Sequence, residues 1–181
     1  MTDSKKGNLP ISQSRIRRDG LADGETAPSF DLATLDGSRM SLSSFGSSPL
    51  ILIFTDLVNC SPCKNLLTTL REVHKLAPYI EIAIISNGAF EPNAKVAVEY
   101  ELPFQVGLQS HWEVSTAYAM FRVPCAYFIN ADEKICGNVA VGVEQILNLF
   151  VGVAINSLLE AVGEMSPSMR PVSTAEGLKA S

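Results

Sequence analysis

Two nearly unbroken apolar runs, Leu50-Ile51-Leu52-Ile53-Phe54 and Ile80-Glu81-Ile82-Ala83-Ile84-Ile85, stand on either side of a stretch with helical spacing. In that stretch Leu66, Leu67, Leu70, Val73 and Ala77 recur at intervals of three and four, and Pro78 ends the pattern. A strand that is apolar throughout predicts cover on both of its faces. Strand, helix and strand within so short a span predict a right-handed βαβ unit, with strands over Leu50–Thr55 and Ile80–Ser86 and a helix from about Cys60 to Ala77.

The flanking patterns extend this core. Ala27–Leu32 and Arg39–Leu42 alternate on either side of Leu35-Asp36-Gly37-Ser38, and Asp-Gly between alternating segments predicts a β-hairpin. Ser43 to Ser48 read as a polar connection into the first central strand. Beyond the second, Asn87–Asn93 reads as a loop with Gly88 and Pro92, Ala94–Tyr100 as a short helix and Phe104–Leu108 as a short strand. Ser110-His111-Trp112-Glu113 has capping-box spacing and predicts a helix to about Met120, which accounts for His111 and Trp112 as helix-start residues. Phe121–Ile129 is an apolar strand entered by Pro124, a residue that suits an edge or a strand start because it lacks a donor. Asn130–Glu133 turns the chain into a returning strand, Lys134–Val141, and Val143 to about Val162 reads as a final helix. These elements divide the chain into a polar tail (1–24), one domain (25–163) and a second polar tail (164–181), both tails being expected to be disordered. The small basic cluster Arg15, Arg17 and Arg18 falls in the first tail and reads as solvated.

Candidate chemistry sits between the first strand and its helix, at Cys60-Ser61-Pro62-Cys63. A thiolate is the attacking species in disulfide exchange, and a free thiol is mostly protonated at neutral pH. A cysteine at a helix N-terminus faces unpaired N–H groups and the positive end of the helix dipole, so its pKa falls. Pro62 suits the first helical turn. Cys63 lies one turn along, placed to attack a mixed disulfide on Cys60. Cys60 is therefore the candidate nucleophile and Cys63 the resolving thiol, with Ser61, Pro62 and the nearby Asp56 shaping the site. Half of a zinc site is the competing reading, but a structural site wants a second close pair of ligands. Cys125 and Cys136 have ten residues between them and no His beside either. Inert packing of two small residues is the other alternative. Neither a metal nor a cofactor is called for. His74 falls near the apolar stripe of its helix and reads as a packing or surface residue.

Composition narrows the partners. The 181 residues suffice for one domain with a real core, and 46% apolar with 18% charged residues is the balance of a globular chain. The net charge of −5 argues against nucleic acid or anionic lipid as partners. No uninterrupted apolar stretch of about 18 residues occurs. The best candidate, Val139–Ile155, is broken by Glu144, Gln145 and Asn148, so no transmembrane segment is expected. With no apolar run near Met1 the chain reads as cytoplasmic, and as a monomer.

The order of elements, with the CxxC and with Val-Pro before a strand, resembles the thioredoxin superfamily, in particular its TlpA-like and redoxin (AhpC/TSA-type) branch. The resemblance covers about Glu25 to Val162, including the N-terminal hairpin and an insertion at Asn87–Gln109. The wording of Phe54–Leu67, with CSPC followed by Lys and Leu-Leu, is similar to the MauD-like proteins, which assist maturation of methylamine dehydrogenase. The resemblance implies an α/β three-layer fold: a central mixed sheet, helices on both faces and an extra N-terminal β-hairpin. It also implies a cis Pro124 beside the CxxC, with the backbone of Val123 pairing to an extended protein client. The pattern departs in three places. Asn59 stands where thioredoxins have Trp, Phe54 where they have a buried acid, and Leu66 where several TlpA-like proteins have Glu.

Three functions follow as expectations. The first is a thiol-disulfide oxidoreductase that acts on a protein thiol or disulfide client and is recycled by a reductase or oxidant. The second is a redoxin-type peroxidase with an antioxidant role, although neither cysteine lies in the Pro-x-x-x-Thr-x-x-Cys context of peroxiredoxins. The third is a non-enzymatic module that holds a partner at Val123-Pro124. Cys125 reads as a small buried residue, and a Cys125–Cys136 disulfide is not expected from the hairpin register.

Overall fold

A computed structural model describes residues 19–46 and 48–164. The tail residues 1–18 and 165–181, with the Arg15, Arg17 and Arg18 cluster, lie outside the described residues.

The central strand β3 (Leu50–Thr55) is buried at all six positions. It pairs in parallel with β4 (Glu81–Asn87), from Leu50↔Glu81 to Thr55↔Ser86, and antiparallel with β6 (Cys125–Ile129), from Leu50↔Ile129 to Phe54↔Cys125. Outside these, β5 (Gln105–Gln109) lies parallel to β4, and β7 (Ile135–Val141) antiparallel to β6. The five-stranded mixed sheet runs β5-β4-β3-β6-β7. Pro124 immediately precedes β6, so its missing N–H removes no ladder bond from a strand that is interior rather than at the edge.

The two faces of β3 feed two apolar clusters. Ile51 and Ile53 join Leu66, Leu67 and Leu70 of α1 (Ser61–His74), Val96 of α2 (Phe90–Glu99) and Ile146, Phe150 and Val153 of α4 (Val143–Glu164). Leu50, Leu52 and Phe54 join Val114 of α3 (Glu113–Ala117), Tyr118, and Leu32 and Met40 of a small hairpin, β1 (Asp31–Ala33) with β2 (Arg39–Ser41). The layers are thus helix, sheet, and a thinner layer of one short helix plus the hairpin. His74 has a structural place: its Nε2 lies 3.2 Å from the Ile80 carbonyl and its ring stands edge-on to Phe104.

The hairpin follows its sequence signal. Gly37 takes φ 82°, and the Asp36 carboxylate accepts bonds from Ser38 N–H (2.9 Å), Ser38 Oγ and Thr34 Oγ1. Those bonds lower the Asp36 carboxyl to about 2. The hairpin docks on β5 where Gly107 leaves room: a Cβ there would stand 2.6 Å from Met40 Cε and 3.2 Å from Leu32 Cβ.

Several boundaries differ from expectation, among them the strand expected from Phe121, which begins only at Cys125. Residues 19–24, read as tail, are strapped to the sheet. Gly20 N–H bonds Ala119 O (3.0 Å), Leu21 N–H bonds the Tyr127 hydroxyl (3.3 Å) and Gly24 N–H bonds Ile135 O (2.8 Å). A small polar segment can still be ordered when its backbone donors find partners. Helix α1 closes at His74, short of Ala77. Helix α2 begins at Phe90, before Pro92, because proline is tolerated in a first turn whose N–H groups have no helical acceptor. Helix α3 is only five residues; Trp112 precedes it with φ 58°, and Glu113 bonds Ser110 N–H (3.2 Å) and His111 N–H (2.8 Å) without a serine cap. Helix α4 runs as expected from Val143 to near Val162, but its burial is uneven. Val143–Val162 is, by length and composition, long and apolar enough to cross a membrane, and only 17% of it is buried. Its first half packs in the core, whereas Ile155, Leu158, Leu159 and Val162 are each more than half exposed.

Gly107→Val should destabilise the domain by about 1–3 kcal/mol, since Met40 and Leu32 must give way in a packed core. Urea unfolding of the variant checks this; an unchanged midpoint would mean that the hairpin docks loosely.

Candidate redox site

The sequence-predicted site forms where β3 ends. Asp56 is the first residue beyond the strand, and both its carbonyl and its carboxylate hold the loop that follows. Cys60 N–H donates to Asp56 O (3.0 Å), Asn59 N–H to Asp56 Oδ1 (2.9 Å), and the Asn59 amide to both carboxylate oxygens (3.2 Å each). Asp56 therefore shapes the loop, and Asn59, in the position thioredoxins give to Trp, is its partner.

Cys60 is the N-cap of α1, with extended backbone (φ −103°, ψ 101°), and its sulfur accepts a bond from Cys63 N–H at 3.1 Å. Cys60 and Cys63 are disulfide-bonded, with Cα atoms 5.2 Å apart. Their surroundings differ. Cys60 is partly accessible, whereas Cys63 is 0% exposed among the leucines of α1. Ser61 and Pro62 are exposed in the first turn, where the proline removes a donor that lacks a helical partner.

The loop before β6 forms the other wall. The Val123–Pro124 peptide is cis, and the Val123 carbonyl oxygen lies 3.9 Å from the Cys60 sulfur. Pro124 is buried and its carbonyl accepts from Gly142 N–H (2.9 Å). Among the described residues, the Val123 N–H has no hydrogen-bond partner and its C=O meets only Cys60. The structure thus brings Cys60, Cys63, Val123, Pro124, Ser61, Pro62 and Asp56 to one end of the sheet.

The remaining cysteines stand apart. Cys125 is 0% exposed beside Phe54, and burial pushes its thiol up to about 12. Cys136 faces Phe128 across the hairpin while Cys125 faces Val141, so the register separates the two and both are free thiols. Among the described residues no group of three or more His, Cys, Asp or Glu side chains could hold a metal ion. Sequence reasoning passed over two buried polar residues beside the loop, Ser86 and Asn93; the signals were a serine ending an apolar strand and an asparagine just after Pro92.

Fold and site together define a thioredoxin-like protein with a Cys-x-x-Cys disulfide at a helix N-terminus. The chain belongs to the AhpC/TSA family, whose family model matches residues 24–137. It is similar to the thiol-disulfide oxidoreductase ResA of Bacillus thuringiensis subsp. konkukian (25% identical over 115 residues, 62% of this chain and 66% of ResA). It is also similar to the methylamine utilization protein MauD of Paracoccus versutus (26% identical over 109 residues, 60% of this chain and 54% of MauD). The aligned region therefore spans just under two thirds of the length of ResA and about half of that of MauD. The crystal structure of the thioredoxin domain of a thiol-disulfide oxidoreductase from Bacteroides vulgatus shares the fold, with a TM-score of 0.65, 20% identity, and coverage of 74% of this chain and 99% of that one.

Cys125 gives a pH prediction. In the unfolded chain a thiol ionises near 8.5, whereas the folded protein holds this proton to about 12. Stability from this group is complete below the unfolded value and is lost as pH rises toward 12. Cys125→Val should flatten the fall in melting temperature between about pH 9 and 12; a slope identical to that of the wild type would count against a sealed Cys125.

Proposed function

We propose that the protein is a thiol-disulfide oxidoreductase that exchanges disulfides with a protein client. One observation carries the reading: a partly accessible Cys60 caps a helix and is disulfide-bonded to a buried Cys63. In the reducing direction the Cys60 thiolate attacks a client disulfide, forming a mixed disulfide and releasing one client thiolate. Cys63, deprotonated, then attacks the Cys60 sulfur; the internal disulfide forms and the second client thiolate leaves. Two electrons pass to the client, and two protons follow them. The reverse sequence oxidises a client dithiol by the same contacts.

The roles follow from position. Helix N–H groups stabilise the thiolate of Cys60, both as attacking and as leaving group. Burial of Cys63 keeps it from external disulfides until Cys60 presents one. The unpartnered backbone N–H of Val123 suits pairing with an extended client segment, which supports a protein client over a small molecule. A reductase or oxidant that resets the Cys60–Cys63 pair completes the cycle. The name of one similar protein, a thiol-disulfide oxidoreductase, supports the first part of this reading. A maturation role of the MauD type is a narrower proposal.

Cys63→Ser should accumulate client mixed disulfides on Cys60, seen as reducible high-mass bands and located by mass spectrometry. Failure of any Cys60-linked species to form, with oxidised and reduced clients alike, would sink the proposal. Peroxide consumption should be no faster than that of a free thiol; a rate orders of magnitude above it would favour the peroxidase reading instead.

A further inference from the structure

Beneath the redox loop lies a set of buried polar groups that the exchange reaction does not use. Ser86, near the end of β4, and Asn93, in the first turn of α2, are each 0% exposed. The Ser86 hydroxyl accepts a bond from Leu57 N–H (3.1 Å) and donates to Asn93 Oδ1 (2.7 Å). The Asn93 amide donates to Ala89 O (2.8 Å) and Asn87 O (3.3 Å). Thr55, which pairs with Ser86 across the β3–β4 ladder, is equally buried and bonds Ile85 O (3.3 Å).

The target of this chain of bonds matters more than its number. Leu57 is the second residue of the loop that carries Cys60, and its side chain is 0% exposed in the core. Its N–H points into the protein, where water does not reach it, and Ser86 is its acceptor. The loop is therefore held twice: at the surface by Asp56 with Asn59, and from below by Ser86. Buried polar groups cost free energy unless they are bonded, and an apolar pair of the same size would leave the Leu57 N–H without its acceptor. What the hydroxyl and amide supply that an apolar pair does not is direction.

We infer that Ser86 and Asn93 are positioning residues for Cys60: they set the height of the Asp56–Asn59 loop so that the Cys60 sulfur meets the N-terminus of α1. Asn93 acts through Ser86 by orienting its hydroxyl, and Ser86 acts through the Leu57 backbone. Without the hydroxyl the Leu57 N–H loses its acceptor, and the loop shifts to find another. The sulfur then drifts from the helix N–H groups that stabilise its anion. The inference rests on the reading of Cys60 as the attacking thiol, and it assigns no client contact to either residue.

The test is the pH dependence of Cys60 alkylation in fully reduced, full-length protein, with iodoacetamide as probe and mass spectrometry counting modification at Cys60. Ser86→Ala should raise the midpoint by about one pH unit, a roughly tenfold lower thiolate fraction at pH below both midpoints. Ser86→Thr, which keeps the hydroxyl, should retain the wild-type midpoint, and Asn93→Ala should move it in the same direction as Ser86→Ala by less. A Ser86→Ala protein that melts at lower temperature with an unchanged midpoint would overturn the inference, as would equal shifts for Ala and Thr. Should Ser86→Ala not fold, Asn93→Ala decides on the same criterion. A wild-type midpoint near the ordinary thiol value of about 8.5 would instead remove the activated Cys60 on which both readings stand.

Discussion

Strand β3 has neither a free edge nor a free face, and the rest of the structure depends on that enclosure. Its backbone is paired on one side to β4 and on the other to β6, and its side chains from Leu50 to Phe54 are divided between the two apolar clusters. Such a strand can move only if the whole sheet moves, so the residue that leaves its end is the best-fixed point at that end of the molecule. Cys60, the proposed attacking cysteine, is four residues beyond it. The intervening loop, which would otherwise be loose, is tied by Asp56 to Asn59 and by Leu57 to Ser86. Chemistry that depends on the placement of one sulfur is thus carried on the stiffest element available.

The departures from the thioredoxin pattern form a consistent set. Asn59 uses its amide to hold Asp56, a role that no indole could fill with two acceptor oxygens. Phe54, where an acid would lie, packs against Tyr118 and Tyr127 with ring centroids 5.3 and 6.1 Å away. Tyr127 in turn donates to Tyr118 O, and Tyr118 to Pro28 O. The face of the sheet below the site is therefore aromatic and neutral, braced by the strap at residues 19–24. Leu66 is fully buried in the apolar cluster on the α1 face of the sheet. The Cys60 sulfur at this end of the sheet is met by the backbone N–H of Cys63.

Much of this was legible in the chain because local patterns and global fold agree. Leu50–Phe54 could only be an interior strand, Cys60–Cys63 followed by the leucine stripe could only open a helix, and Val123-Pro124 stood before an apolar run. The misreadings came where a long-range contact overrode a local signal. Asp19–Gly24 looks like tail because its order comes from carbonyls of Ala119 and Ile135, far away in sequence. Pro92 looks like a loop residue unless the helix is known to begin just before it. Ser86 and Asn93 left only faint signals, a serine ending an apolar strand and an asparagine after Pro92, because a bonded polar pair in a core is visible only once the two are side by side. The exposed end of α4 was missed for the opposite reason. Its composition is that of a core helix, and only the packing shows that its buried positions end at Val153.

The wall facing Cys60 comes from a residue 63 positions further along the chain. Contacts so distant in sequence are slow to form, because loop closure must precede them. During synthesis the two cysteines and their helix emerge well before β6 exists to complete the sheet. For that interval the nascent chain carries both thiols without the Val123 wall and without the second ladder on β3. Biogenesis, rather than the finished fold, is therefore the stage at which these sulfurs are most open to the wrong partner.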